Sequence, residues 1–228
     1  MKMDQYDCLL DLVKKRRTIR EFKPDPVPEE YITRIIEVAR WAPSAFHTQP
    51  WEFVVIKNAE IKNQIVAALE RHGPPIKDPA KKDMERRSFK DAPVFILLLC
   101  DWRAKVGLPG RASEDEKRVA SLYNSSLANA FLYMHLAATA LGLSAQWYTA
   151  TSRDEAERAI KEIIGIPESL TIYDMMVIGY RDNPPNEKIV RNLAEMVHYD
   201  NCGAQDFRTD EEVNAYAQIT KAWCMSGH

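Results

Sequence analysis

Lys14, Lys15, Arg16, Arg17 and Arg20 crowd around Thr18 in the segment KKRRTIREF. Guanidinium forks and a hydroxyl in so short a span are the groups that bind a dianion with fixed geometry, which makes the segment a candidate phosphate site. The same cations also suit the C-terminus of a helix, where they complement the macrodipole, and the residues alone leave both readings open. The chain contains no G-x-G-x-x-G and no G-x-x-x-x-G-K-[ST]. Recognition of phosphate would therefore fall to side chains and not to a glycine-rich backbone cradle.

The second candidate is the loop in APSAFHTQPWEFVVI, bracketed by Pro43 and Pro50. The two prolines restrict the residues before them. Ser44, the backbone of Ala45, Phe46 and His47, and the Gln49 amide offer donors and acceptors side by side. Such a set can read the mixed edge of a flat heterocycle. It also fits an ordinary turn that delivers Trp51 to the core. His47 has no metal-ligand or nucleophile partner in the pattern, so hydrogen bonding or packing is its default role.

Bulk properties narrow the classes. The 228 residues are enough for one large domain or two small ones, with a sizeable core. Hydrophobic residues make up 46% and charged residues 28%, and the net charge of −2 argues against nucleic acid or an anionic membrane as partner. Cys8, Cys100, Cys202 and Cys224 lie far apart with no metal-ligand spacing, so no metal site is expected. Asp4, Asp7 and Asp11 interrupt any signal-peptide core, and the run PVFILLLC is too short to span a bilayer. The expectation is a cytoplasmic protein with free thiols.

The elements that must position these residues follow from periodicity. Residues 4–15 place Tyr6, Leu9, Leu10 and Val13 at helical spacing, and Pro28 opens a second helix that must end near Pro43. WEFVVIK, APVFILLLCD and TIYDMMVIGY read as strands whose continuous apolarity predicts helices on both faces. Between the last two, residues 116–142 form a long helix with apolar residues around nearly its whole circumference, read as buried and closed by Gly142. LSAQWYTAT adds a short strand, and SRDEAERAIKEIIGIP a capped helix with Asp154 and Glu155 in its first turn. The order is α+β. After Tyr180 come Pro184, Pro185 and a polar tail with one helix over about 209–223, whose Tyr199, Phe207, Tyr216 and Trp223 need a surface to cover.

Taken in order, RRTIREF, PVP, APSAFHTQPWEFVVI, AATALGLSAQWYTA and VIGY ahead of KIVR resemble the FMN-dependent nitroreductase family over roughly residues 8–200, and HTQPW is similar to its iodotyrosine deiodinase branch. The resemblance implies a nitroreductase-like α+β fold, a mostly antiparallel sheet flanked by helices, in a single domain over 1–228. The extension 193–228 would wrap a partner subunit in a homodimer. It implies FMN as cofactor, with Arg16, Arg17, Thr18 and Arg20 at its phosphate and ribityl chain. Pro43, Ser44, Ala45, Phe46, His47 and Gln49 would lie along the ring from the partner subunit, and Trp147, Tyr148 and Thr149 at its reactive edge. Lys188 or Arg191 would close on the phosphate, with Asn192 standing where the family has Pro. NADH or NADPH would donate electrons and a small oxidised acceptor would receive them, with no Ser-His-Asp triad and no catalytic side chain assigned. A dehalogenating or flavin-consuming enzyme, or a non-enzymatic FMN-binding protein, would keep the same motifs. Residues 71–90, 102–116 and the tail would set substrate choice, the first as a cover or a plain surface loop.

Overall fold

The computed structural model describes residues 4–73, 89–181, 184–185 and 187–225. Five strands, β1 (Phe22–Lys23), β2 (Trp51–Ile56), β3 (Val94–Asp101), β4 (Ser144–Tyr148) and β5 (Leu170–Arg181), form one sheet in the order β1-β5-β3-β2, with β4 also on β5. Every pairing of named strands is antiparallel. The register of β3 on β5 shifts between Leu98 and Leu99, which face Asp174 and Ile172, so Tyr173 is the extra residue of a bulge.

The run VFILLLC is apolar throughout because both faces of β3 are covered. Val94, Ile96, Leu98 and Cys100 enter one core with Ile35 of α2 (Glu29–Ala39) and Phe131 and Met134 of α4 (Glu116–Ala140). Phe95, Leu97 and Leu99 enter a second core with Ile65 of α3 (Ala59–His72) and Ile160 of α5 (Asp154–Ile164). The helical layers expected on both faces of the sheet are both present.

Other elements depart from the sequence reading. α3 and the two-residue β1 were not anticipated; α3 starts on Asn58, whose side chain accepts the amides of Glu60 and Ile61. Pro28 is the N-cap of α2 and not its first helical residue. α5 carries its acidic first turn, but its N-cap is Arg153 and no side chain caps it. α4 is not buried all round: Asn124, Ser125 and Leu132 are exposed, because one face of this 25-residue helix turns away from its own sheet. Gly142 closes it with φ 75°, a left-handed turn that glycine adopts without penalty. α1 (Gln5–Lys15) buries no residue; Tyr6 is 69% and Leu9 55% exposed.

The chain divides into two compact units, Met1–Asn183 and Pro184–His228. In the second unit Thr209 and Glu212 form a reciprocal capping box at the start of α6 (Asp210–Met225). There the Trp223 indole donates to the Glu187 carbonyl at 2.9 Å, and Tyr199 and Phe207 are exposed. Of the 71–90 segment, 74–88 lie outside the described residues. No described helix is long and apolar enough to cross a membrane.

Candidate functional site

The proline-bracketed loop has unusual backbone. Phe46, His47 and Gln49 have φ of 48°, 57° and 46°, the left-handed region that bulky residues avoid at a cost of order 1–3 kcal/mol each. Hydrogen bonds hold it there. The Ser44 hydroxyl accepts the Gln49 amide at 3.1 Å, closing the loop on itself. The Thr48 hydroxyl donates to the Ala45 carbonyl at 2.8 Å. α4 clamps the entry: the Ser126 hydroxyl accepts the Ala45 amide at 3.0 Å, and the Asn129 amide donates to the Pro43 carbonyl at 3.1 Å. Pro43, His47 and Gln49 are exposed, and Phe46 is 60% exposed although it sits beside the core aromatic Trp51 in sequence.

The basic segment is built differently. α1 ends at Arg16, which caps it through a backbone bond to Leu12, and Thr18 then bridges Ala145 in parallel while the Ile19 amide donates to the Ala145 carbonyl at 3.0 Å. The segment is thus pinned to the start of β4. Arg17 donates to the Lys14 and Arg16 carbonyls, and the Arg20 carbonyl accepts the Phe89 amide. Arg16, Arg17, Thr18 and Arg20 are half-buried. Burial, and after it the charge of Arg17, hold the Arg16 pKa below its ordinary value. Among the described residues no carboxylate pairs with the Arg16 or Arg20 guanidinium.

At the end of β4, strand alternation separates two residues that the sequence reading grouped. Trp147 lies on the α4 side, its ring centroid 4.3 Å from that of Phe131 and 5.8 Å from that of His135, nearly parallel to the latter. Tyr148 lies on the opposite face, 4.5 Å from the Phe89 ring. Thr149 is exposed just past the strand. Lys188 and Arg191 belong to the second unit, where Arg191 donates to the Glu195 carbonyl at 3.0 Å and Asn192 caps a short turn through the Ala194 amide.

Four side chains that the sequence reading did not single out belong to this surrounding. Besides Ser126 and Asn129, they are His135 and Asp174. His135 is 3% exposed with both ring nitrogens unpartnered, and burial, then the Arg16 charge, push its pKa down to about 3. Asp174, beside the β5 bulge, accepts the Trp147 indole N–H at 2.6 Å; burial pushes it up to about 6 against that hydrogen bond. The available signal was polarity on a helix otherwise made for the core: Ser126 and Asn129 stand three apart, on one face. Cys100 is buried with its thiol pushed up to about 12 by burial and then by Asp101, which makes it an inert core residue.

An antiparallel sheet between two helical layers, with a basic segment pinned to one strand and a strained loop clamped on a core helix, makes this an α+β protein. The model of the Nitroreductase family matches residues 13–180, and the chain belongs to that family. It is 30% identical over 184 residues to a Methanothermobacter thermautotrophicus protein provisionally named an NADH dehydrogenase/NAD(P)H nitroreductase, covering 80% of this chain and 82% of the other. It is 28% identical to the iodotyrosine deiodinase of Thermotoga neapolitana, covering 80% and 96% of the two chains. A crystal structure of oxidised iodotyrosine deiodinase bound to FMN and 3-iodo-L-tyrosine superposes with TM-score 0.66 at 26% identity, covering 85% of this chain and all of that one.

Proposed function

We propose that the protein is an FMN-dependent oxidoreductase that reduces a small oxidised acceptor, nitroaromatic or quinone-like, in a ping-pong reaction driven by NADH or NADPH. The observation that carries this is the half-buried Arg16, desolvated beside Arg17 and lacking a carboxylate partner among the described residues. A phosphate monoester supplies the countercharge that such an arrangement lacks. Arg16, Arg17, Arg20 and the Thr18 hydroxyl would hold the phosphate and ribityl chain, the 43–49 loop would grip the ring, and the β4 end at Trp147 and Thr149 would face its reactive edge. Tyr148, on the opposite face of the sheet, would support that end from behind. Lys188 or Arg191 would complete the phosphate site. FMN supplies hydride chemistry when bound, and the protein's share is binding, orientation and electrostatics.

The test is direct. The purified protein is expected to be yellow, to release FMN on denaturation, and to oxidise NADH or NADPH with parallel double-reciprocal plots against a nitroaromatic acceptor. Colourless protein that cannot be reconstituted with FMN ends the reading, and FMN binding without turnover turns it into a carrier. The likeness to proteins named iodotyrosine deiodinase supports a second reading, reductive dehalogenation at the same site. Iodide release from 3-iodo-L-tyrosine by the reduced protein, with no nitroaromatic turnover, would favour it.

A two-fold homodimer forms part of the proposal, with loop and basic segment meeting across the interface and residues 193–228 wrapping the partner. The exposed Tyr6 and Leu9 of α1 and Leu132 of α4 support it, since burying apolar area is favourable by about 25 cal/mol per Å². Light scattering should give a dimer for the holo-protein, and a chain ending at His198 should lose both dimer and FMN. A monomeric holo-protein overturns this part.

A further inference from the structure

We infer that Ser126 and Asn129 are positioning residues that hold the strained loop in its ligand-gripping shape, an inference that rests on the flavin-binding reading of that loop. Three left-handed residues, none of them glycine, within four positions do not persist in a solvent-exposed loop unless the surroundings over-determine them. Beyond the loop's own Ser44 and Thr48 bonds, two side chains of α4 reach it. Ser126 is 2% exposed and spends its only proton on the Leu122 carbonyl at 2.7 Å. With the hydroxyl hydrogen so committed, a lone pair is left aimed at the Ala45 amide, and the rotor cannot turn away without breaking its own bond. Asn129, one turn on, donates to the Pro43 carbonyl and fixes the residue that enters the loop.

The two bonds straddle Ser44, whose own hydroxyl takes the Gln49 amide at the far end. The chain 43–49 is thus fastened at its entry and closed on itself at Gln49, and the left-handed Phe46 and His47 lie between. The loop also packs directly on α4. α4 itself is anchored in the core through Tyr123, Leu127, Ala130 and Phe131, which interleave with the two clamping residues. The clamp therefore has a rigid base, and the loop needs no ligand to find its shape.

Amide hydrogen exchange and FMN titration, on wild type, Ser126→Ala and Asn129→Asp, test the clamp separately from the flavin reading. Ser126→Ala favours helix formation at its own position, so the melting temperature of the apo-protein should hold. Asn129→Asp keeps the shape and removes the donor. In both variants the amides of 44–49 should exchange about tenfold faster, and FMN affinity should fall about tenfold with a less structured visible flavin band, the effect of one lost hydrogen bond. Unchanged exchange in both variants overturns the clamp. Faster exchange with wild-type FMN affinity overturns its role in positioning the ligand. A wild type that takes up no FMN sinks the flavin reading and this role with it, while exchange still judges the clamp.

Discussion

The loop 43–49 and the basic segment 14–20, the two halves of the proposed flavin site, carry their strain in different forms. The loop's cost is in the backbone, as left-handed φ at Phe46, His47 and Gln49, held by bonds to the Pro43 carbonyl and the Ala45 and Gln49 backbone amides. The basic segment has ordinary backbone, secured by the bridge from Thr18 to Ala145, and its cost is electrostatic: Arg16 is half-buried under the like charge of Arg17. Strain of the first kind relaxes when its fastenings are cut. The second would relax on binding the phosphate that the proposed function places there.

The largest expected effect breaks the electrostatic side. Arg16→Ala should weaken FMN binding by about 1.5–3 kcal/mol, or roughly 10- to 150-fold, the range for a hydrogen bond to a charged group, with little change in apo stability. Fluorescence titration beside thermal melting reads both, and equal FMN affinity in the two proteins would return Arg16 to a plain helix end.

Next come His135 and Asp174, which flank Trp147 and titrate in opposite senses. His135, faced by the Arg16 charge and the neutral Phe131 and Trp147 rings, has a folded pKa of about 3 against an ordinary 6.5. The unfolded chain takes up a proton that the folded one refuses, so stability falls as pH drops from about 6.5 toward 3. Asp174, faced by the Trp147 N–H and the Tyr173 phenol, has a folded pKa of about 6 against 3.8. The folded chain keeps a proton that the unfolded one releases, so stability falls as pH rises from about 4 to 6. The two slopes oppose one another over about pH 4–6. His135→Phe should leave stability declining with pH across that window, and Asp174→Asn should leave it rising, each slope under the limit of about 1.4 kcal/mol per pH unit. Urea melts at three pH values decide it, and parallel slopes in the two variants would contradict the assignment.

The smallest effect sharpens the backbone side. Phe46→Gly removes a bulky residue from φ 48° at a largely exposed position and should raise stability by about 0.5–1 kcal/mol while loosening FMN binding. A loss of stability on chemical denaturation would show that the Phe46 ring is worth more to the fold than its backbone costs.

Much of this was legible in the sequence, for reasons that differ by region. The two-layer sheet could be read because β3 is apolar on both faces, and the basic cluster and prolines because residue type alone announces them. The left-handed backbone could not be read, since Phe, His and Gln are not the residues that mark it. Its fastenings lie 81 and 86 positions away on α4. α3 escaped because Ile65, Val66, Ala68 and Leu69 are set among lysine, asparagine and glutamate with no proline or glycine to open it. The separation of Trp147 from Tyr148 follows from strand alternation, which motif matching treats as a block.

Helix α4 carries Ser126 and Asn129 under the loop and, six residues on from Asn129, His135 beside Arg16 and Trp147. A helix advances about 1.5 Å and turns about 100° per residue, so one residue inserted between 129 and 135 would swing the loop's fastenings a quarter-turn away from the histidine's pocket. The stretch therefore cannot change its length without parting the loop's fastenings from the histidine, and its Ala130, Phe131 and Met134, fully buried, tie it to the core as well.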